Sequence, residues 1–101
     1  MKKIKIALEY GCSPIWEITD PTASSVNLPI DSLPVSSELI TKIETWNAAF
    51  HSLYINNEVE FRFKGFENAI AEKEFKEFGS AVVKKLKEEL PNDWGLVESA
   101  Y

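Results

Sequence analysis

One cysteine, one histidine and four scattered glycines are all that this 101-residue chain holds of the residue types on which most catalytic and cofactor sites depend. A lone Cys12 cannot form an internal disulfide, and it fits a reducing compartment. With His51 the only imidazole, carboxylates would have to supply most ligands of any zinc or iron site, and no ligand spacing for one is present. No metal and no cofactor are expected. Gly11, Gly65, Gly79 and Gly95 lie far apart, and none opens a helix after a strand, so a phosphate-cradling loop is excluded. Nucleophilic catalysis would have to rest on Cys12 and His51, the single Cys/His pair available, and nothing local to either recommends it. The chain is therefore read as non-catalytic.

Long apolar runs are missing too. None approaches the ~18 residues that a bilayer crossing requires. The opening Met1-Lys2-Lys3-Ile4-Lys5 places charges where a signal peptide needs an unbroken greasy stretch, so a cytoplasmic location and no membrane partner are expected. Arginine is nearly absent: Arg62 alone carries the guanidinium fork that phosphate and guanine recognition favour. With 11 Lys plus Arg against 16 Asp plus Glu, the net charge is −5, which argues against a nucleic-acid ligand. It favours a basic protein partner, because opposite net charges steer encounter, although mild acidity serves solubility equally well. Carboxylate pairs such as Glu58/Glu60, Glu72/Glu74 and Glu88/Glu89 fall on polar faces or helix ends and read as solvated charge rather than acid/base machinery.

What is present is an ordinary globular balance, 45% hydrophobic and 27% charged, in a length that suits one domain spanning residues 1–101. Residues 3–10 alternate, with Ile4, Ile6 and Leu8 on one side, and predict a half-buried strand. Gly11, Ser13 and Pro14 break it, and Ile15 to Ile18 form a second short strand that Asp20-Pro21 ends. From Thr19 to Ser37, Pro21, Pro29 and Pro34 are spaced so that neither helix nor central strand can persist, while Val26, Leu28, Ile30, Leu33 and Val35 predict a loop that lies across the core. Ser36 or Ser37 caps a helix whose stripe, Leu39, Ile43, Trp46, Phe50 and Leu53, carries it to about Tyr54, with Asn56-Asn57 as the stop. Val59, Phe61 and Phe63 alternate with charges and suit either a short strand or an irregular arm tucked under the next helix. That helix runs from about Asn68 to Leu90 on the stripe Ala71, Phe75, Phe78, Val82, Leu86 and Leu90, with Gly79 inside it permitting close approach of a neighbour. A last strand follows from Trp94 towards Tyr101, and the terminal strands are expected to pair. The fold class is α+β: a small mixed or antiparallel sheet of three or four strands with two helices on one face, in the order β-β-α-(β)-α-β.

Three stretches carry a family resemblance. Tyr10-Gly11-Cys12-Ser13-Pro14-Ile15-Trp16, then Leu33-Pro34-Val35-Ser36-Ser37-Glu38-Leu39, then Lys64-Gly65-Phe66 ahead of a helix ending before Asp93-Trp94 together resemble a group of small acidic bacterial proteins. Some of that group are similar to immunity proteins of contact-dependent growth inhibition and related polymorphic toxin systems. The resemblance covers most of the chain, and departs from the group at Glu58 to Phe63, where a looser, proline-containing connection is the expectation. It implies a stoichiometric inhibitor that binds the toxic C-terminal domain of a cognate effector, often a nuclease. Carboxylates from the loop and first helix, Asp20, Asp31, Glu38 and Glu44, would meet that basic domain, with Tyr10 or Trp16 as apolar anchors. Asp20 and Asp31 suit turn capping equally well. Two other functions fit the residues: an accessory subunit docking on a housekeeping enzyme, and a small cysteine enzyme should Cys12 and His51 meet.

Overall fold

The computed structural model describes residues 2–19 and 25–97. The expected Asp20-Pro21 strand end, the Asp20 candidate and the final strand beyond Val97 lie outside the described residues.

Alternation at the N-terminus produces the central strand β1 (Lys2–Ile6), with Ile4 and Ile6 almost completely buried. Antiparallel β2 (Ile15–Ile18) sets Ile15 opposite Ile6, and parallel β6 (Trp94–Val97) sets Leu96 opposite Ile4, so these apolar side chains share one face. Outside β2 lies β3 (Val26–Asn27), which completes a four-stranded mixed sheet in the order β3-β2-β1-β6. The terminal strands pair as expected. The proline-rich segment reads as a surface loop that excludes helix and central strand, and β3 is a two-residue edge strand within it, which that reading permits but does not foresee. Its pairing is fixed by side chains: the Asn27 amide donates to the carbonyls of Ser13 and Ile15 at 2.9 and 3.0 Å, and Asn27 Oδ1 accepts from Ser13 N at 3.2 Å. The Ser13 hydroxyl also donates to the Leu28 carbonyl. A single 3-10 turn at Ile30–Ser32 then drops Leu33 into the core, so this part of the loop does lie across it.

Helix α1 (Ser37–His51) starts at Ser36, whose hydroxyl accepts from Leu39 N, and it buries Leu39, Ile43 and Trp46. Helix α2 (Ala69–Glu89) starts at Asn68, whose side chain accepts from Ala71 N at 2.8 Å, and it buries Gly79, Val82 and Leu86. The two helices cover the Ile4/Ile6/Ile15 face and close the core with it. Where they cross, a Cβ on Gly79 would lie 2.7 Å from the Trp46 ring, so the absence of a side chain at position 79 sets their separation. No helix among the described residues is long and apolar enough to cross a membrane.

The chain departs from expectation after α1. The helix ends at His51, and Tyr54, Ile55 and Asn56 form β4 (Tyr54–Asn56), which pairs antiparallel with β5 (Phe61–Phe63) in a separate two-stranded sheet. Asn57 explains the switch. Its side-chain oxygen accepts from Val59 N and Glu60 N at 2.8 and 2.9 Å, building the turn that closes the hairpin. The Phe pair does not tuck under α2; Phe61 and Phe63 are more than half exposed.

Candidate functional site

Six phenylalanines occupy this chain, all between residues 50 and 78, and none belongs to the buried core. The core is built instead from Ile, Leu, Val and Trp46. The hairpin, the end of α1 and the first half of α2 therefore form an aromatic end to the molecule, distinct from the aliphatic centre.

Tyr10 ties the hairpin to the main sheet. Its ring lies 4.7 Å from Tyr54, 4.9 Å from Phe61 and 5.1 Å from His51, centroid to centroid, and its hydroxyl accepts from the Asn56 amide at 3.0 Å. Tyr54 in turn meets Phe63 edge-on at 5.1 Å and Phe50 at 5.5 Å. Beside Tyr10, Gly11 takes φ +82°, a backbone region open to glycine at no steric cost, and this aims its N–H at His51 Nε2, 3.0 Å away. His51 Nδ1 faces the Asn47 carbonyl at 2.8 Å and must donate to it, which leaves Nε2 bare to accept. Both ring nitrogens are thus taken by backbone. Neither is left for Cys12, although the two residues lie in the same corner of the fold.

Next to the hairpin, α1 and the first half of α2 line one cleft of about 250 Å³, and an adjoining cleft of about 240 Å³ lies between these helices and the segments that flank the hairpin. Trp46 and Phe75, stacked at 5.8 Å, form the floor of one; Leu53 and Phe66 help to line the other, and Ala49, Ala71 and Phe75 line both. Gly65, at φ +78°, lines the second cleft and lies against the Phe63 ring, so hairpin and cleft form one continuous surface. Ile70 and Phe78, one helical face of α2 with Glu74, are exposed beside it.

The residues expected to bind a partner do not gather in one place. Tyr10 sits in the aromatic cluster. Trp16, next to buried Ile15, points to the sheet face away from the helices, and its indole N–H donates to the Ala7 carbonyl at 3.0 Å. Asp31 is exposed in the 3-10 turn, and Glu44 is exposed on α1. Glu38 lies in the first turn of α1, paired with Lys42 at 3.3 Å. At 1.5 Å per residue it stands roughly 20 Å from the His51 end of that helix, where Tyr10 packs. Asp20 lies outside the described residues.

Among the described residues, Glu89 is the carboxylate with a displaced pKa. Glu89, at the end of α2, accepts from Ser36 N at 2.7 Å and from the Ser36 hydroxyl at 3.1 Å. The backbone bond, then the hydroxyl bond, hold its carboxyl below the ordinary 4.5, with Lys85 and Lys42 assisting. That contact pins the C-terminus of α2 to the N-cap of α1. Among the described residues, no three His, Cys, Asp or Glu side chains cluster so as to hold a metal ion.

Sequence reasoning by charge missed the aromatic end. The available signal was positional: every phenylalanine falls in one stretch of 29 residues, 50–78. A family model described as "Serratia CdiI immunity protein-like" matches residues 2–98. No curated protein matches the chain.

Proposed function

Because the chain belongs to the Serratia CdiI immunity protein-like family, we propose that it binds the toxic C-terminal domain of a cognate contact-dependent growth inhibition effector and neutralises it. The observation that carries this reading is the family match across nearly the whole chain, residues 2–98. Inhibition in this reading is stoichiometric and non-catalytic, exerted in the cytoplasm by one domain that occludes its partner through shape and charge. The net charge of −5 supports a basic partner, as a toxin that reads phosphates, a nuclease among them, would be. Asp31, Glu38 and Glu44 then act at long range, and Tyr10 at short range.

Coexpression with the toxic C-terminal domain of its cognate effector is the direct test. Restored growth and a one-to-one complex in isothermal titration are expected. Unprotected cells together with no measurable complex would remove the proposal.

A further inference from the structure

Exposed apolar surface is common in small proteins, but here it is gathered. Phe61 and Phe63 of the hairpin and Phe78 of the cleft lining are 56, 54 and 38% exposed, and Ile70, 69% exposed, lies one turn before the cleft-lining Glu74 on the same face of α2. Contiguous, cleft-bearing patches rich in aromatics are the places where binding energy concentrates. The rigid base below them is already made, since Tyr10, Tyr54 and Phe50 hold the hairpin from beneath and Phe75 stacks on buried Trp46. Rigid anchors lose little conformational entropy when a partner arrives.

Charge identifies the occupant. Glu67 and Glu74 line the clefts, and neither takes part in an ion pair among the described residues. The nearby cations of α2 are already committed, Lys76 to Glu72 at 3.1 Å and Lys73 to Glu77 at 3.9 Å, and Arg62 of the hairpin is committed to Glu60 at 3.2 Å. Lys64 is the one cation in the cleft lining. A second copy of this chain would set the same carboxylates, and a second net charge of −5, against each other. A segment with cations flanking an apolar stretch meets both features.

Resting on the immunity reading above, we infer that the partner docks at this aromatic end, and that it inserts an apolar segment flanked by Lys or Arg into the α1/α2 clefts beside the Phe61/Phe63 face. Along α2 the cleft lining runs from Ala71 to Phe78, about two helical turns, and Phe66 and the hairpin extend it beyond the helix, enough for several anchors of such a segment. Glu67 and Glu74 take its cations, and the phenylalanines take its apolar side chains.

The experiment uses the full chain and the toxic C-terminal domain of its cognate effector. Wild-type binding and growth protection are measured first, and their failure counts against the immunity reading itself. Given wild-type binding, the double variant Phe63→Ser/Phe78→Ser is expected to weaken the complex by at least about thirtyfold, as loss of a hot spot does. Because Phe63 also meets Tyr54 edge-on and Phe78 is only 38% exposed, this variant should melt below the wild type, and its binding is compared at a temperature where its melt shows it folded. Glu67→Lys/Glu74→Lys should weaken binding by about tenfold or more, mainly through slower association. Hydrogen exchange of the wild type, which needs no variant to fold, should slow at amides 57–68 when the toxin domain is added. Unchanged affinity in both variants, or slowed exchange confined to the sheet face that carries Trp16, overturns the inference and leaves the immunity reading standing. Self-association of the free chain that Phe63→Ser/Phe78→Ser abolishes overturns it as well, since the occupant would then be a second copy.

Discussion

Adding a methyl group at Gly79 tests the packing of this fold by its sign. Two effects oppose each other. Ala in place of Gly within a helix is worth about 1 kcal/mol in propensity and unfolded-state entropy. Against that, the new Cβ would lie 2.7 Å from Trp46 Cζ2, 2.9 Å from Cε2 and 3.0 Å from Nε1. Inserting a methyl into a packed interior costs about 1–3 kcal/mol. The upper part of that range applies, because the obstacle is a stiff ring that is only 1% exposed and is stacked on Phe75. Gly79→Ala should therefore destabilise by about 1–2 kcal/mol, lowering the melting temperature by roughly 5–15 °C for a domain of this size. Trp46→Phe removes the ring atoms nearest the methyl. In that background Gly79→Ala should be neutral or stabilising by up to about 1 kcal/mol, which gives a coupling energy near 2 kcal/mol between the sites. Thermal melts of the four proteins measure it. A Gly79→Ala chain that melts above wild type, or a coupling under about 0.5 kcal/mol, refutes the claim that position 79 sets the helix crossing.

The other predictions concern joints between elements. His51→Ala removes the acceptor for Gly11 N–H and the ring beside Tyr10, so a loss of about 1–2 kcal/mol is expected in denaturant titration; wild-type stability would mean that this corner contributes nothing. Glu89→Gln tests the α2 to α1 cap: a folded pKa below 4.5 gives stability that is full above that value and is lost as pH falls through the lower folded value. The wild type should accordingly melt above Glu89→Gln at about pH 7, with the gap narrowing as the pH falls below 4.5, and a gap that stays constant with pH contradicts the assignment. Asp31→Asn, Glu38→Gln and Glu44→Gln combined should slow association with the toxin domain at low salt and leave dissociation unchanged in surface plasmon resonance. Faster dissociation would instead place those carboxylates inside the contact.

How far the chain could be read follows from how local each decision is. Helix α2 was expected over 68–90 and is found at Ala69–Glu89, because Asn68, the leucine and valine stripe and Pro91 all act within a few residues of where they sit. The Ser36 cap, both N-terminal strands and the close approach at Gly79 were legible for the same reason. The β4–β5 hairpin was not. Phe50, Leu53 and Tyr54 continue the helical spacing of α1, and only the Asn57 turn, with Tyr54 meeting Phe63 and Tyr10 from 44 residues upstream, makes a strand the better state. Strand β3 depends likewise on Asn27 reaching Ser13. For the site, Tyr10 was legible as an aromatic beside a turn, whereas its companions Tyr54, Phe61 and His51 converge through that unforeseen hairpin.

The same structure reassigns the work of the acidic charge. All six ion pairs among the described residues join a carboxylate to a cation on the same or a neighbouring element, Glu72 with Lys76 and Glu17 with Lys2 among them. Exposed pairs of this kind add little to stability, typically below about 1 kcal/mol each. Among the described residues, carboxylates outside these pairs, Glu9, Asp31, Glu44, Glu58, Glu67 and Glu74 among them, are spread from the end of β1 to α2, so the net charge of −5 acts as a diffuse field over the molecule. A diffuse field accelerates encounter and is screened beyond about 10 Å at ordinary salt, whereas exposed phenylalanines act only on contact and set how long a complex lasts. On the proposed docking, attraction and retention therefore reside on different residues of this fold. Raising the salt concentration should reduce the association rate of the complex steeply and its dissociation rate hardly at all.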